Sequence, residues 1–258
     1  MASAEVLQGE YNDHAKGYDD GISSIPVVML ETQLLNSALG DCTGQTVLDL
    51  GGGSGLRSRQ VLDLGASSVD LVDMSREMME QGKNRKYGDR INWYEGDISK
   101  SLTHLPLKTY DLVLVNWAMD HAASLAALEG MWANVAAYLK PGGRFVGTRS
   151  GDPYSPVAKD FTYGMRYKNH QPIPGGVRFR YETNGTPPLD IEAASMETSY
   201  SGSTELPTKY GLVDFETEPY ENAEAVKKDP EFWKPFLENP IVIVMKAKRG
   251  LVGVQVPT

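Results

Sequence analysis

"VLDLGGGSG", Val47 to Gly55, decides how this 258-residue chain is read. A short apolar stretch carrying an acid runs into a loop that is almost all glycine. Glycine accepts positive φ and lets backbone come close to a ligand, and loops of this kind after a strand often cradle a nucleotide. The spacing is Gly51-x-Gly53-x-Gly55, with Leu56 next. The dinucleotide fingerprint G-x-G-x-x-G is therefore incomplete, and no G-K-[ST] follows to make a phosphate P-loop. Asp49 at the mouth would repel a pyrophosphate but suits a cationic ligand. The same carboxylate could also brace the loop by accepting hydrogen bonds from its amides.

Outward from this stretch the chain alternates. "TVLDL", "SVDLVDM", "INWYEGDI", "YDLVLVNWAM" and "RFVGTR" read as strands. The fourth is nearly continuous in apolar residues, as strands buried on both faces are. Between them lie helical patterns: "GLRSRQVLDLGA", "SREMMEQGKNRKY" with Ser75 as N-cap and Met78 and Met79 inward, and "DHAASLAALEGMWANVAAYL". That last helix places Leu125, Leu128, Trp132, Val135 and Leu139 on one stripe. Strand–helix alternation predicts a parallel sheet with right-handed crossovers, and ligands then bind outside the carboxyl ends of the strands. The fold expected is α/β: a Rossmann-like, seven-stranded, mostly parallel sheet with helices on both faces and an insertion before the last two strands. The single domain divides into an N-terminal helical lid (1–40), a cofactor-binding core (41–150), a substrate-covering insertion (151–210), a sheet-completing C-terminal part (211–250) and a frayed tail (251–258). Within the insertion, "GVRFRYETNG" and "LDIEAASMETSYS" read as a hairpin around Asn184-Gly185.

Further acids fall at further strand ends. "VDLVDMS" ends on Asp73, "YEGDI" places Asp97 after the third strand, and "LKPGGRFV" turns into the fifth. With the glycine loop, this constellation resembles the class I S-adenosylmethionine (SAM)-dependent methyltransferases over about Thr46 to Arg149. The resemblance implies that Asp73 takes both ribose hydroxyls of SAM, that Asp97 accepts from the adenine amino group with Ile98 flanking the ring, and that Asn116 lies near the transferring methyl. Cofactor contacts are thereby implied at Tyr11, Tyr18, Asp49, Gly51, Gly53, Asp73, Met74, Asp97, Ile98 and Asn116. The C-terminal phrase "DPEFWKPFLENPIVIVMKAK" is similar to that of small-molecule methyltransferases of secondary metabolism. In that subgroup an N-terminal segment closes over the cofactor, here through Tyr11, Ala15, Tyr18 and Asp19.

Composition narrows the partners. A formal net charge of −9 argues against a broad nucleic-acid or anionic-membrane surface. One cysteine, Cys42, allows no internal disulfide and suits a reducing compartment. The polar, acidic N-terminus resembles neither a signal nor a transit peptide. These features predict a cytoplasmic monomer or homodimer with a small-molecule substrate, no nucleic acid, no membrane and no metal. Asn116 stands where metal-dependent relatives carry an acid, and "NWAM" departs from the [DN]-P-P-[YF] of base-modifying enzymes.

For chemistry, His121 is the candidate base. At the start of a helix its pKa would be lowered by the dipole, keeping it neutral. Its plainer reading is an exposed histidine in a first helical turn. The insertion offers Tyr163, Met165, Arg166, Tyr167, Phe179, Arg180 and Tyr181 as a substrate cover, or as a solvated flap. Arg149, Tyr163 and Arg166 are the substrate-binding candidates. The expected activity is SAM-dependent methyl transfer to an O, N, S or C nucleophile of a small organic molecule, releasing S-adenosylhomocysteine (SAH). The alternatives are a SAM-binding cyclase or pericyclase on the same fold and a non-catalytic SAM-binding regulator.

Overall fold

Local chemistry sets the boundaries of the early elements. The computed structural model describes residues 4–251, so most of the tail assigned to 251–258 lies outside the described residues. The N-terminal segment forms helix α1 (Ala4–His14), α2 (Tyr18–Ser23) and α3 (Pro26–Leu39). Gly17, at φ 87°, separates the first two, and Pro26 starts the third with its φ already helical. The core then runs β1 (Thr46–Leu50), α4 (Leu56–Asp63), β2 (Ser68–Asp73), α5 (Arg76–Lys83), β3 (Ile91–Glu95), β4 (Tyr110–Asn116), α6 (Leu125–Tyr138) and β5 (Leu139–Ser150). The Ser75 hydroxyl caps α5 by accepting from the Met78 amide, and Met78 and Met79 are buried, as their spacing predicts.

The insertion is a separate antiparallel sheet of β6 (Met165–Ile173), β7 (Gly176–Thr183) and β8 (Asp190–Met196), followed by short helices α7 (Glu197–Tyr200) and α8 (Glu205–Lys209). Strands β7 and β8 are the expected hairpin. The chain ends with β9 (Leu212–Thr217), α9 (Glu224–Lys228), α10 (Pro230–Glu238) and β10 (Val242–Arg249).

The main sheet has seven strands in the order β3-β2-β1-β4-β5-β10-β9. β1 to β5 run parallel, and β10 enters antiparallel between β5 and β9. Strand order reverses between β1 and β4, the topological switch point where ligands of open α/β sheets bind. Each face of the sheet carries its own apolar layer. One includes Leu30 and Leu34 of α3, Val61 of α4 and the Phe179 side of the insertion; the other includes Leu128, Trp132 and Val135 of α6.

Three local expectations need correction. The long helix predicted from Asp120 is interrupted: Ala118–His121 form a 3₁₀ turn, and α6 begins after Ser124, whose side chain accepts from the Ala127 amide. Leu125 is consequently exposed, and Met131 is buried in its place. Strand β5 starts at Leu139, so "KPGG" lies within an irregular strand rather than before it. The third correction is to the small sheet, which holds a further strand beside the expected hairpin: β6, whose Met165 and Tyr167 show the buried alternation of a sheet face.

Candidate functional site

The carboxyl ends of β1 to β4 and the glycine loop open into one cavity of about 370 Å³. Ten residues expected to contact the cofactor line it: Tyr11, Tyr18, Asp49, Gly51, Gly53, Asp73, Met74, Asp97, Ile98 and Asn116. Ala15 and Asp19 of the N-terminal segment do not; Asp19 instead accepts from the Ser54 hydroxyl and pairs with Arg59. The loop turns through positive φ at Gly51, Gly53 and Gly55. A Cβ on Gly51 would sit 2.5 Å from the Ala118 Cβ. With φ at 74° as well, Gly51→Ala is expected to destabilise the fold by about 2–4 kcal/mol, readable by urea denaturation.

The acids divide their work differently from the sequence reading. Asp73, not Asp49, braces the loop: its Oδ2 accepts from the Gly53 amide and its Oδ1 from the Ser75 amide, both at 2.7 Å. Asp49 accepts from the Ser58 hydroxyl of α4 at 2.7 Å. Burial pushes both carboxyls up to about 6, and the charge of Asp73 adds to the shift at Asp49. Asp97 is held through Oδ1 by the Ser99 amide and hydroxyl. Asn116 accepts from Thr148 through Oδ1, and its buried Nδ2 has no partner among the described residues. Below the loop, Glu31 and Arg57 form a buried ion pair at 2.7 Å, and the Trp117 indole donates to the same Glu31 at 2.9 Å. Nothing in the sequence linked these three residues, which lie far apart in the chain and meet only in the fold.

Helix α1 crosses the cavity mouth and is tied on both sides. Gln8 donates to the Met74 carbonyl, and Asn12 accepts from the Ser75 hydroxyl. On the insertion side, Glu10 accepts from Arg180 and from the Glu192 amide, both at 2.8 Å. The Tyr11 hydroxyl meets His121 Nε2 at 2.8 Å and the Tyr181 hydroxyl at 3.3 Å.

His121 lies at the end of the 3₁₀ turn, buried and not exposed in a first helical turn. Its pKa is lowered to about 4, and the cause is burial rather than the helix dipole. The ring is neutral near pH 7. Tyr11, Tyr18 and Tyr181 are pushed well above 10 by burial, so this polar cluster carries no net charge at neutral pH.

The insertion covers the cavity through four of the seven residues offered for that role, but not through Tyr163 or Arg166, the two named there as substrate-binding candidates. Met165, Tyr167, Phe179 and Tyr181 line it. Tyr163 instead packs on Trp233 and Phe236 and donates to the Phe232 carbonyl. Arg166 pairs with Glu182 on the outside of the small sheet, over the Phe161 ring. Arg149 points to the other side of the main sheet, because successive residues of a strand face opposite ways and Ser150 takes the cavity side. Asp120, absent from the candidates, joins the layers: it accepts from the Ser150 amide and the Ser195 hydroxyl, both at 2.7 Å. Its place just after a strand of the parallel sheet was the available signal.

Comparison with known proteins agrees with this geometry. Residues 47–143 match the family described as "Methyltransferase domain". Demethylmenaquinone methyltransferase of Tropheryma whipplei (strain Twist) is 32% identical over 132 residues, 50% of this chain and 52% of that protein. The chain thus spans about half the length of the curated relatives it matches. Among solved structures, an S-adenosylmethionine dependent methyltransferase from Mesorhizobium loti superposes with a TM-score of 0.60 at 21% identity, over 85% of this chain and 98% of that one. The CcbJ methyltransferase of Streptomyces caelestis gives 0.64 at 15% identity, over 93% and 98%. Residues 47–143, which carry the glycine loop and the strand-end acids, thus match the methyltransferase domain family.

Proposed function

We propose that the chain is a cytoplasmic SAM-dependent methyltransferase whose acceptor is a small, largely apolar organic molecule. The observation that carries this reading is the pair of buried acids, Asp49 and Asp73, facing one cavity beside the glycine loop. Neither has a cationic side chain hydrogen-bonded to it among the described residues, and the pKa of each is raised to about 6. Such a site favours a ligand that brings its own positive charge and its own hydroxyl donors. SAM has both, and when bound it supplies an electrophilic methyl group on a sulfonium.

The chain's own residues then have separable tasks. Asp73 holds the ribose hydroxyls, Asp97 the adenine amino group, and Asp49 stands toward the cationic methionine end. The amide of Asn116, unpartnered in the fold, offers a donor between cofactor and acceptor. The aromatic wall of Tyr167, Phe179 and Tyr181 orients the acceptor and excludes water. His121 is the base. In the tautomer protonated on Nδ1, Nε2 accepts from the Tyr11 hydroxyl at 2.8 Å, while the buried Nδ1 has no hydrogen-bond partner among the described residues. An acceptor O–H or N–H bound at the Tyr11 oxygen can thus pass its proton to His121 Nε2 through that hydroxyl. The relative named for demethylmenaquinone supports an acceptor of this apolar kind.

The test combines calorimetric titration of SAM with mass spectrometry of products from a panel of phenols and quinols. SAM binding and a gain of one CH2 are expected, with SAH formed in equal amount. A product of unchanged mass would indicate isomerisation instead, and no SAM binding would remove the reading. His121→Gln and Tyr11→Phe are each expected to lower kcat about a hundredfold on a hydroxyl acceptor, with SAM affinity nearly unchanged.

Binding should also depend on pH. In the free protein Asp49 and Asp73 titrate near 6, so the acids are largely protonated at pH 5 and ionised at pH 7. A cation prefers the ionised form. SAM affinity is therefore expected to rise from pH 5 to 7, by about tenfold per unit below the pKa for each coupled acid, with protons released on binding near pH 6. The unliganded fold behaves oppositely. Its raised acid pKa values stabilise it at pH 4 and below, and that contribution is lost as pH rises through 6. Calorimetry in buffers of different ionisation enthalpy reads the released protons, and uptake instead of release would refute the assignment.

A further inference from the structure

We infer a second ligand site, for a small carboxylate with an apolar body, on the face of the main sheet turned away from the cofactor cavity. Arg149 is its anchor. This arginine is nine-tenths buried, with 9% of its surface exposed. Among the described residues its guanidinium donates only through Nη1, to the carbonyls of Ser150 at 2.8 Å and Tyr200 at 3.3 Å. Those two bonds fix the plane of the group. Nε is buried and has no partner among the described residues. The edge formed by Nε and Nη2 is therefore the unused one. That edge is the pair of parallel N–H donors that matches the two oxygens of a carboxylate.

A free, buried guanidinium edge is costly unless something pairs with it. Here Arg149 lines a cavity of about 170 Å³. The cavity is smaller than the roughly 300–1,000 Å³ that takes a drug-sized ligand, so it fits a one-ring or short-chain acid. Its apolar wall comes from both sheet and helices, with Trp132 of α6, Leu206 of α8, Phe215 of β9 and Met245 of β10. Ser199 and Thr204 line the same space, and their hydroxyls are the donors at hand for the carboxylate's remaining lone pairs. The turn at Gly202 has φ 79°, and a Cβ there would come within 3.1 Å of Arg149 Nη2, so glycine leaves that edge open. Of the nearby acids, Glu216 is engaged by Lys246 at 3.2 Å, and Asp120, whose charge also acts on Arg149, is engaged by the Ser150 amide and the Ser195 hydroxyl, so neither bonds the free edge. Hydroxyls and one arginine edge, over an aromatic and aliphatic floor, select a monoanion with a hydrophobic body over a neutral apolar molecule.

The site is distinct from the main cavity, because Arg149 and Ser150 are successive residues of β5 and face opposite sides. An occupant would lie one residue along the strand from the wall of the cofactor cavity. Ser150 there donates its amide to Asp120, the residue preceding His121.

The probe is sodium benzoate, with benzyl alcohol as the neutral isostere, followed on the full chain by ligand-observed NMR and calorimetry. Benzoate is expected to bind, and benzyl alcohol to bind at least tenfold more weakly. Arg149→Lys keeps the charge but loses the fork, and should weaken benzoate about tenfold. Leu206→Trp fills the cavity without touching the arginine and should abolish binding. Phe179→Ala, in the cofactor cavity, should leave benzoate affinity unchanged. Folding of each variant is checked by its thermal transition. Failure of folded wild-type protein to bind benzoate overturns the inference. So does equal binding of benzyl alcohol, or benzoate binding that responds to Phe179→Ala and not to Leu206→Trp. SAM plays no part in these readouts, so the outcome is independent of the proposed transfer activity.

Discussion

Asp73→Ala is expected to weaken SAM binding by at least about a hundredfold. Two losses combine. The first is a charged acceptor for two hydroxyl donors, and hydrogen bonds to charged groups contribute about 1.5–3 kcal/mol each. At 1.4 kcal/mol per tenfold, that loss alone accounts for a hundredfold or more. The second is the loop itself. Asp73 holds the Gly53 and Ser75 amides at 2.7 Å, and alanine leaves both without their acceptor. The glycine loop then loses the brace that shapes it. Asp73→Asn retains an oxygen for one amide and should fall between wild type and alanine. Calorimetric titration measures the affinities. The stability of the unliganded fold should fall less than the affinity does, because above pH 6 the same substitution removes a poorly solvated charge. Near-wild-type affinity in a folded Asp73→Ala protein would show that the end of β2 is not the ribose site.

The second large effect concerns stability. Glu31→Ala is expected to cost about 3–5 kcal/mol, as breaking a buried ion pair from one side does. Glu31 has 1% of its side chain exposed and Arg57 has 10%. Truncating the acid strands the guanidinium and also leaves the Trp117 indole N–H without its acceptor. Glu31→Gln should cost less, since its carbonyl can still accept from Trp117. Against a total of about 5–15 kcal/mol for a typical domain, the alanine effect is a large share. Urea denaturation measures it. A loss below about 1 kcal/mol for Glu31→Ala would mean that water, rather than this pair, solvates Arg57.

The convergence of the glycine loop and the strand-end acids on one cavity was legible because its signals are local. A strand, a glycine turn and an acid at a strand end each fit within a few residues, and a parallel sheet brings all such ends to one edge. Asp49, Asp73, Asp97 and Asn116 converge for that reason. The lining contributed by β5 and the insertion was less legible because it depends on which face of a strand turns inward. Arg149 and Ser150 differ by one position and face opposite sides, and that parity is set by pairing with β4 and β10, not by local composition. Arg166 likewise pairs outward with Glu182 across the small sheet. Tyr163 was drawn into the aromatic cluster of α10, a contact 69 residues away in sequence. The pKa of His121 is lowered as expected but by burial and not by a helix dipole, and burial by α1 and β8 cannot be read from its own neighbourhood. The bond between Tyr11 and His121, 110 residues apart, is a product of the fold alone.

Helix α1 carries a consequence for the walls of the cavity. Its polar ties run to the cofactor loop on one side, through Gln8 and Asn12, and to the insertion on the other, through Glu10. None of its residues is fully buried, yet Leu7 and Tyr11 pack against the core and Tyr11 bonds His121, so the helix is held by apolar contact as well as by polar ties. One helix therefore ties the glycine loop to the insertion, so that a shift in either wall of the cavity is felt by the other.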